Sequence, residues 1–305
     1  MYDIIGDVHG HATELKGLLR KMDYDEVEGV WKHPTRIAIF VGDYIDRGPA
    51  IRETLQIVKG MTDAGNAIAL MGNHEYNALA YAYQRPDGTY LRSHSEKHLH
   101  QHSATLAQFF YHQEEWQQYI SWFYTLPLFT ELDGLRAVHA CWDEKHIKWL
   151  KKNNLQQLTK EFLVAAHQKG SVENAVIEET LKGKEVEIAE TWLDKDGHPR
   201  KHNRTKWWVN PTEATTYNDA LFNCPDSLKQ DIFNATSDPF FYAVDELPVF
   251  IGHYWLQADS PMMQSSNVVC LDYSVAKGGS LVAYRWYQGN EIDNKHFVSV
   301  KCKHS

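Results

Sequence analysis

The residues able to do chemistry in this 305-residue chain gather at the ends of apolar runs. Gly42-Asp43-Tyr44-Ile45-Asp46-Arg47-Gly48 follows the apolar run Ile37 to Val41 and precedes a helix-like segment from Arg52 to Ala64. Two carboxylates and a guanidinium therefore crowd into the turn where a buried strand surfaces, the place where open α/β sheets bind ligands. Acids so close repel one another unless a cation sits between them, so the placement calls for a metal. The theme recurs. Gly6-Asp7, Gly72-Asn73 and Gly252-His253 close three further apolar runs, and another run delivers His139. Glycine permits tight turns and close backbone approach there, and ligands on strand ends are fixed to the rigid part of a scaffold. Asp, His and Asn together make a mixed oxygen and nitrogen shell, which suits manganese, iron or zinc better than magnesium or calcium.

The elements that must position these groups follow from periodicity. Tyr2 to Ile5 reads as a buried strand, followed by an amphipathic helix from about His11 to Met22 with Leu15, Leu18, Leu19 and Met22 on one face. Arg36–Val41 and Ala67–Met71 repeat the strand, and Arg52–Ala64 the helix, which predicts βαβ units with parallel neighbours. From about 77 to 130 the pattern is helical and aromatic. Leu135–Val138 is a strand, 143 to 246 reads as a long, polar, mainly helical stretch with turns at Asp196-Gly197 and Asn210-Pro211, and Pro248–Ile251 is a strand. Val268–Leu271, Ser280–Tyr287 and Phe297–Val300 make the C-terminal part mostly β.

Composition sets the outer bounds. A hydrophobic fraction of 43% and a charged fraction of 23% are ordinary for a folded chain. A net charge of -9 argues against a bulk nucleic-acid surface, though bound cations can reverse the local sign for a phosphorylated substrate. Cys141, Cys224, Cys270 and Cys302 form no CxxC pattern, so reduced thiols in the cytoplasm are expected. No signal peptide is expected, and no apolar run approaches the roughly 20 residues of a spanning helix, so no membrane association is expected.

Taken in order, Asp7-x-His9, Gly42-Asp43-x-x-Asp46-Arg47-Gly48, Gly72-Asn73-His74-Glu75, His139 and Gly252-His253 resemble the calcineurin-like metallophosphoesterase superfamily. The Asp-Tyr-x-Asp-Arg-Gly form is similar to its phosphoprotein phosphatase branch, which includes serine/threonine phosphatases and symmetrical diadenosine tetraphosphatases. Met71 stands where the eukaryotic phosphatases carry arginine, and Ala140-Cys141-Trp142-Asp143 replaces their Gly-Gly loop. Leu271-Asp272-Tyr273-Ser274 with Gly278-Gly279 resembles a segment of the bacterial tetraphosphatases instead.

The resemblance implies a four-layer α/β/β/α sandwich, a single domain over 1–305, with helical insertions at about 77–130 and 143–246 forming a cap. It implies two divalent metal ions, manganese foremost and iron, zinc, nickel or cobalt otherwise. Asp7, His9 and Asp43 would bind one, and Asp43, Asn73, His139 and His253 the other, with a bridging hydroxide attacking phosphorus in line. His74 would act as general acid with Asp46 holding its imidazolium, and Arg47 would clamp phosphate oxygens. The implied activity is hydrolysis of phosphate monoesters or nucleoside polyphosphate anhydrides. A protein serine/threonine or tyrosine phosphatase, and an inactive metal-binding module, are the competing expectations.

Other residues carry two readings each. Arg200 and Arg204, ahead of Trp207-Trp208, offer a second phosphate clamp and a base-stacking platform, or a basic loop over a buried aromatic pair. Asp272 is either an acceptor orienting a ligand histidine or a turn acid. His94, His98 and His102 recur at four-residue spacing and offer either another metal site or, the expected case, a solvated helix face, and Cys141 is either a nucleophile or, as expected, buried packing.

Overall fold

Period-two alternation of side chains decides how the strands stack. The computed structural model describes residues 1–132, 134–193, 199–233, 240–289 and 291–303. Chain order begins with β1 (Tyr2–Ile5), α1 (Ala12–Lys21), a hairpin of β2 (Asp25–Val27) and β3 (Val30–Lys32), β4 (Ile37–Phe40), α2 (Ile51–Asp63) and β5 (Ala67–Ala69). It continues with α3 (Asn73–Ala82), α4 (Glu96–Phe109), α5 (Gln113–Phe123), β6 (Phe129–Leu132), β7 (Leu135–Val138), α6 (Glu144–Lys152), α7 (Lys160–Ala166) and α8 (Val172–Lys182). The remainder is β8 (Glu185–Leu193), β9 (Pro199–Arg204), α9 (Tyr217–Ala220), β10 (Val249–Ile251), β11 (Val268–Cys270), β12 (Asp272–Tyr273), β13 (Ser280–Trp286) and β14 (Phe297–Lys301).

Two sheets form the centre. One has the order β12-β13-β1-β4-β5, with β14 also paired to β13; the other has the order β11-β10-β7-β6. Ile4, Ile39, Val41, Leu70, Val282 and Tyr284 of the first meet Leu135, Ala137, Phe250 and Val269 of the second in one apolar cluster. The alternate residues Ile5, Ala38, Phe40, Ala69 and Ala283 face the other way and share a cluster with Leu15, Leu18, Leu55 and Val58 of α1 and α2. Val138, Val249, Ile251 and Val268 belong to that outer cluster too, with Ile147, Leu150, Phe162 and Ile177 from α6 to α8. Helices thus cover both outer faces of a sheet pair, the α/β sandwich expected from the sequence. Truncating any of these fully buried leucines or isoleucines to alanine costs about 2–5 kcal/mol.

The stretch from 77 to 130 is helical through α3, α4 and α5, as predicted. The expectation for 143 to 246 needs correction. Its helices run to Lys182, with Asp143, Thr159 and Ser171 side chains capping α6, α7 and α8, and after it only the short α9 is helical among the described residues. Beyond that, β8 and β9 pair as an antiparallel hairpin. The cause is visible in Glu185-Val186-Glu187-Ile188, which alternates polar and apolar at the period of a strand and buries Ile188 against Leu221, Cys224 and Leu228. The Asp196-Gly197 turn lies outside the described residues. Among the described residues no helix is long and apolar enough to cross a membrane.

Candidate metal centre

β1, β4 and β5 run parallel, so their carboxyl ends lie at one edge of the sheet. β7 and β10 are likewise parallel to each other. Asp7, Asp43 and Asn73 follow the first three strands, His139 and His253 the other two. The structure brings all five together, with His9 and His74. Asp43 is the hub: His9 Nε2 lies 3.5 Å from its Oδ2, His139 Nε2 3.4 Å from its Oδ1, and His74 Nε2 3.9 Å from its Oδ2. Asn73 Oδ1 is 3.0 Å from His139 Nε2, and Asp7 Oδ2 accepts the His253 N–H at 3.0 Å.

Close backbone approach makes this packing possible. A Cβ on Gly72 would sit 2.3 Å from both the Asp43 amide nitrogen and its Oδ1, and one on Gly252 would sit 1.9 Å from Asp7 Oδ1. His9, Asp43, Asp46, Arg47 and His253 all have positive φ, from 43° to 70°. Each such turn at a non-glycine residue costs on the order of 1–3 kcal/mol and persists only where neighbours over-determine it. Glu75 supplies much of that restraint. Its fully buried carboxylate accepts the N–H groups of Asp43 (2.9 Å), Tyr44 (2.8 Å), Ile45 (3.3 Å) and Gly72 (3.1 Å).

Whether the donors fit cations can be read from their outer contacts. The Nδ1 of His9 lies 2.9 Å from the Ile45 carbonyl and that of His139 2.7 Å from the Val41 carbonyl. A carbonyl only accepts, so each Nδ1 carries a proton and Nε2, on the Asp43 side, is the nitrogen placed to meet a cation. Both ring nitrogens of His253, and Asp7 Oδ1, are buried without a hydrogen-bond partner. Buried polar atoms left unmatched are costly. Two overlapping trios, His9–Asp43–His74 and Asp43–His139–His253, have donor atoms close enough to share an ion. These residues fit divalent metal.

Protonation follows burial and charge. Burial raises the Asp7 carboxyl well above its ordinary value, and Asp272 and Asp43 add to the rise. Burial alone would also raise Asp43, but His139 and His74 hold it well below the usual range. Burial lowers His253 and His9, reinforced by Arg204 at His253 and by Arg47 at His9, so both imidazoles are held neutral as ligands must be. Burial would lower His139 as well, but without a cation Asp43 overrides it and pushes the imidazole up to about 10, and a metal taking Nε2 would displace that proton.

The catalytic candidates lie beside this cluster. His74 Nδ1 is 2.5 Å from Asp46 Oδ2. Arg47 Nη1 donates to His9 Nε2 at 2.8 Å, using the lone pair a cation would take, and its guanidinium lies 3.8 Å from the Trp255 ring centroid. Arg204 is half-buried next to β8, its Nε 4.0 Å from Glu185. The Arg200 backbone is in β9, but its side chain lies outside the described residues.

Three sequence expectations resolve here. Trp207 and Trp208 are buried (1% and 7% exposed), and the Trp207 indole donates to Ala140 O and Tyr254 Oη, so they are core and not a stacking platform. Asp272 accepts from the Trp255 and Ser274 amides, as a turn acid. Cys141 is buried, and burial pushes its thiol pKa up. His102 requires correction: it is buried, 2.7 Å from Asp46 Oδ1, while His94 and His98 stay exposed. The missed signal was α4 itself, where His102, Thr105 and Phe109 recur at three- and four-residue spacing and are its buried side chains. Glu75 was also missed as a site residue; its place one turn into α3, after a glycine turn, was the clue.

The protein is thus an α/β sandwich whose strand ends converge on buried carboxylate, imidazole and amide donors. The chain belongs to the calcineurin-like phosphoesterase family, whose model matches residues 2–221. It is 43% identical over 74 residues to a bis(5'-nucleosyl)-tetraphosphatase PrpE [asymmetrical] from Halalkalibacterium halodurans, covering 24% of this chain and 30% of that one. It is 31% identical over 137 residues to a symmetrical bis(5'-nucleosyl)-tetraphosphatase from Aromatoleum aromaticum, covering 45% and 42%. The chain thus matches less than half the length of these curated relatives. In fold it is similar to a protein serine/threonine phosphatase from Saccharomyces cerevisiae, with a TM-score of 0.52 at 14% identity, over 98% of this chain and 78% of that one.

Proposed function

We propose that the chain is a dinuclear metal-dependent phosphohydrolase acting on phosphate monoesters or nucleoside polyphosphate anhydrides. The observation that carries this is the convergence of Asp7, His9, Asp43, Asn73, His139 and His253, with both His253 ring nitrogens and Asp7 Oδ1 unpartnered. Asp7, His9 and Asp43 would hold one cation, and Asp43, Asn73, His139 and His253 the other. Manganese heads the candidates, with iron, zinc, nickel or cobalt also suited to the mixed donor set. Bound cations would supply Lewis acidity toward the phosphoryl oxygens and activate water.

The remaining roles belong to the chain's own groups. His74 protonates the leaving oxygen, and Asp46 holds its ring and stabilises its charged form. Arg47, on the exposed side of the centre, binds phosphate oxygens, with Arg204 as a second clamp on the His253 side. One unit of 1–305 is proposed, with 77–130 and 143–246 covering the site. The lack of a disulfide among the described residues, with Cys141, Cys224 and Cys270 as buried thiols, supports a cytoplasmic setting.

The preference for nucleoside polyphosphates rests on the tetraphosphatase relatives. Burial of Trp207 and Trp208 removes the aromatic wall that would have argued for a nucleotide pocket, so a protein phosphatase is the second reading. Metal-reconstituted protein assayed against p-nitrophenyl phosphate, dinucleoside tetraphosphates and phosphopeptides separates them. Faster hydrolysis of the tetraphosphates is expected; a clear preference for phosphopeptides selects the second reading. Asp43→Asn with wild-type turnover on every substrate would refute the metal-dependent mechanism.

A further inference from the structure

We propose that His11, Glu14 and Cys302 form a separate site for a zinc-class divalent cation, outside the cluster around Asp43. Their donor atoms lie within 4.8 Å of one another, and all three residues are buried, at 7%, 3% and 9% exposure. His11 Nδ1 is 3.7 Å from Cys302 Sγ and 3.5 Å from Glu14 Oε2. Zinc bond lengths of about 2.05 Å to nitrogen, 2.3 Å to sulfur and 2.1 Å to oxygen at tetrahedral angles put N···S at about 3.6 Å and N···O at about 3.4 Å. The two distances from His11 agree with these values, and the Cys302 and Glu14 donors lie within 4.8 Å of each other.

Charge and donor type point the same way. Thiolate, imidazole and carboxylate are the ligand types zinc prefers, and water can complete four-coordination. A dication with one thiolate and one carboxylate sums to zero net charge, which offsets the cost of burying Glu14, whose Oε1 already accepts the Lys303 N–H at 3.3 Å. On binding, the Cys302 Sγ–H bond breaks, its proton goes to solvent, and the sulfur electron pair goes to the metal. Another mixed cluster among the described residues differs. Asp143, His146 and Glu179 surround the Lys184 ammonium, 2.7 Å from Asp143 and 2.6 Å from Glu179, so a lysine already supplies the cation.

The site has a structural consequence. Cys302 directly follows β14, and His11 and Glu14 open α1, the helix that begins just after the Asp7–His9 loop. A cation there would join residues 291 positions apart in sequence and clip the C-terminal strand to the segment carrying Asp7 and His9. Clips that close long loops restrict the unfolded chain most.

Cobalt(II) reconstitution of the full chain tests this without any assay of activity. The Asp43 cluster offers no sulfur, so a thiolate-to-cobalt charge-transfer band in the near ultraviolet reports only a cysteine-ligated ion. The band is expected in the wild type and in Asp43→Asn, and should vanish in Cys302→Ser together with one metal equivalent. Should Cys302→Ser fail to fold by circular dichroism, His11→Gln, which keeps the thiol, is expected to weaken the band and lose the same equivalent. Absence of the band in cobalt-saturated wild type, its survival in Cys302→Ser, or full intensity in His11→Gln overturns the proposal.

Discussion

His102 Nδ1 lies 2.7 Å from Asp46 Oδ1, on the carboxylate whose other oxygen meets His74 Nδ1 at 2.5 Å. Thr105 Oγ1 donates to the same Oδ1 at 2.6 Å and accepts the Asp46 N–H at 3.0 Å. Helix α4 therefore fixes the orientation of Asp46, and through it the ring proposed to protonate the leaving group. A hydrogen bond to a charged group is worth about 1.5–3 kcal/mol, or roughly 10- to 100-fold in rate. His102→Ala should lower kcat by that factor on alkyl phosphates, whose leaving oxygen needs a proton. On p-nitrophenyl phosphate, a good leaving group, the loss should be smaller, and metal content should be unchanged. Equal losses on both substrates would contradict the assignment.

The same carboxylate predicts a pH dependence of stability. Burial would raise the Asp46 carboxyl, but hydrogen bonds from His102 and His74 hold it well below the ordinary range. Its folded value is depressed relative to the unfolded one. Its contribution is therefore complete above the unfolded carboxylate value of about 3.9 and is lost as pH falls through the folded value. The stability difference between wild type and Asp46→Asn should be constant near neutrality and shrink in acid. Urea melts at a series of pH values measure it, and a difference that grows in acid would reverse the sign.

Glu75 restrains the turns around Asp43 by accepting four backbone N–H groups. Glu75→Gln keeps one acceptor oxygen and turns an NH2 toward donors. Each buried donor left unmatched costs about 1–3 kcal/mol. A loss of about 2–4 kcal/mol in urea unfolding is expected, with weakened metal retention. An unchanged midpoint would show that the loop is held by other means.

Trp207→Phe separates core from platform. The substitution keeps an aromatic ring of smaller volume and removes the indole N–H that reaches Ala140 O and Tyr254 Oη. Stability should fall by about 1–2 kcal/mol while KM for nucleotide substrates stays within about twofold. A large rise in KM with unchanged stability would restore the stacking role.

Much of this was legible in the sequence because strands announce themselves by apolar runs and these strands end in glycine followed by a donor. Asp7, Asp43, Asn73 and His253 were readable that way, and so was β7, matching Leu135–Val138 residue for residue. Contacts made across long separations were not. His102 reaches Asp46 from 56 positions away, and its four-residue spacing with His94 and His98 resembles a solvated face until the buried side of α4 is known. The β8–β9 hairpin was hidden for a different reason. Its charged residues suggested polar helix by composition, whereas the deciding signal was the period of Val186 and Ile188. Trp207 and Trp208 carried no local sign of which face they would turn inward.

The central claim is that buried donors from five strand ends hold a pair of cations around Asp43. Anomalous diffraction from crystals of manganese-reconstituted protein tests it most directly. The account predicts two manganese peaks flanking Asp43, one beside Asp7 and His9 and the other beside Asn73, His139 and His253. Saturating manganese with no anomalous peak near Asp43 would contradict it.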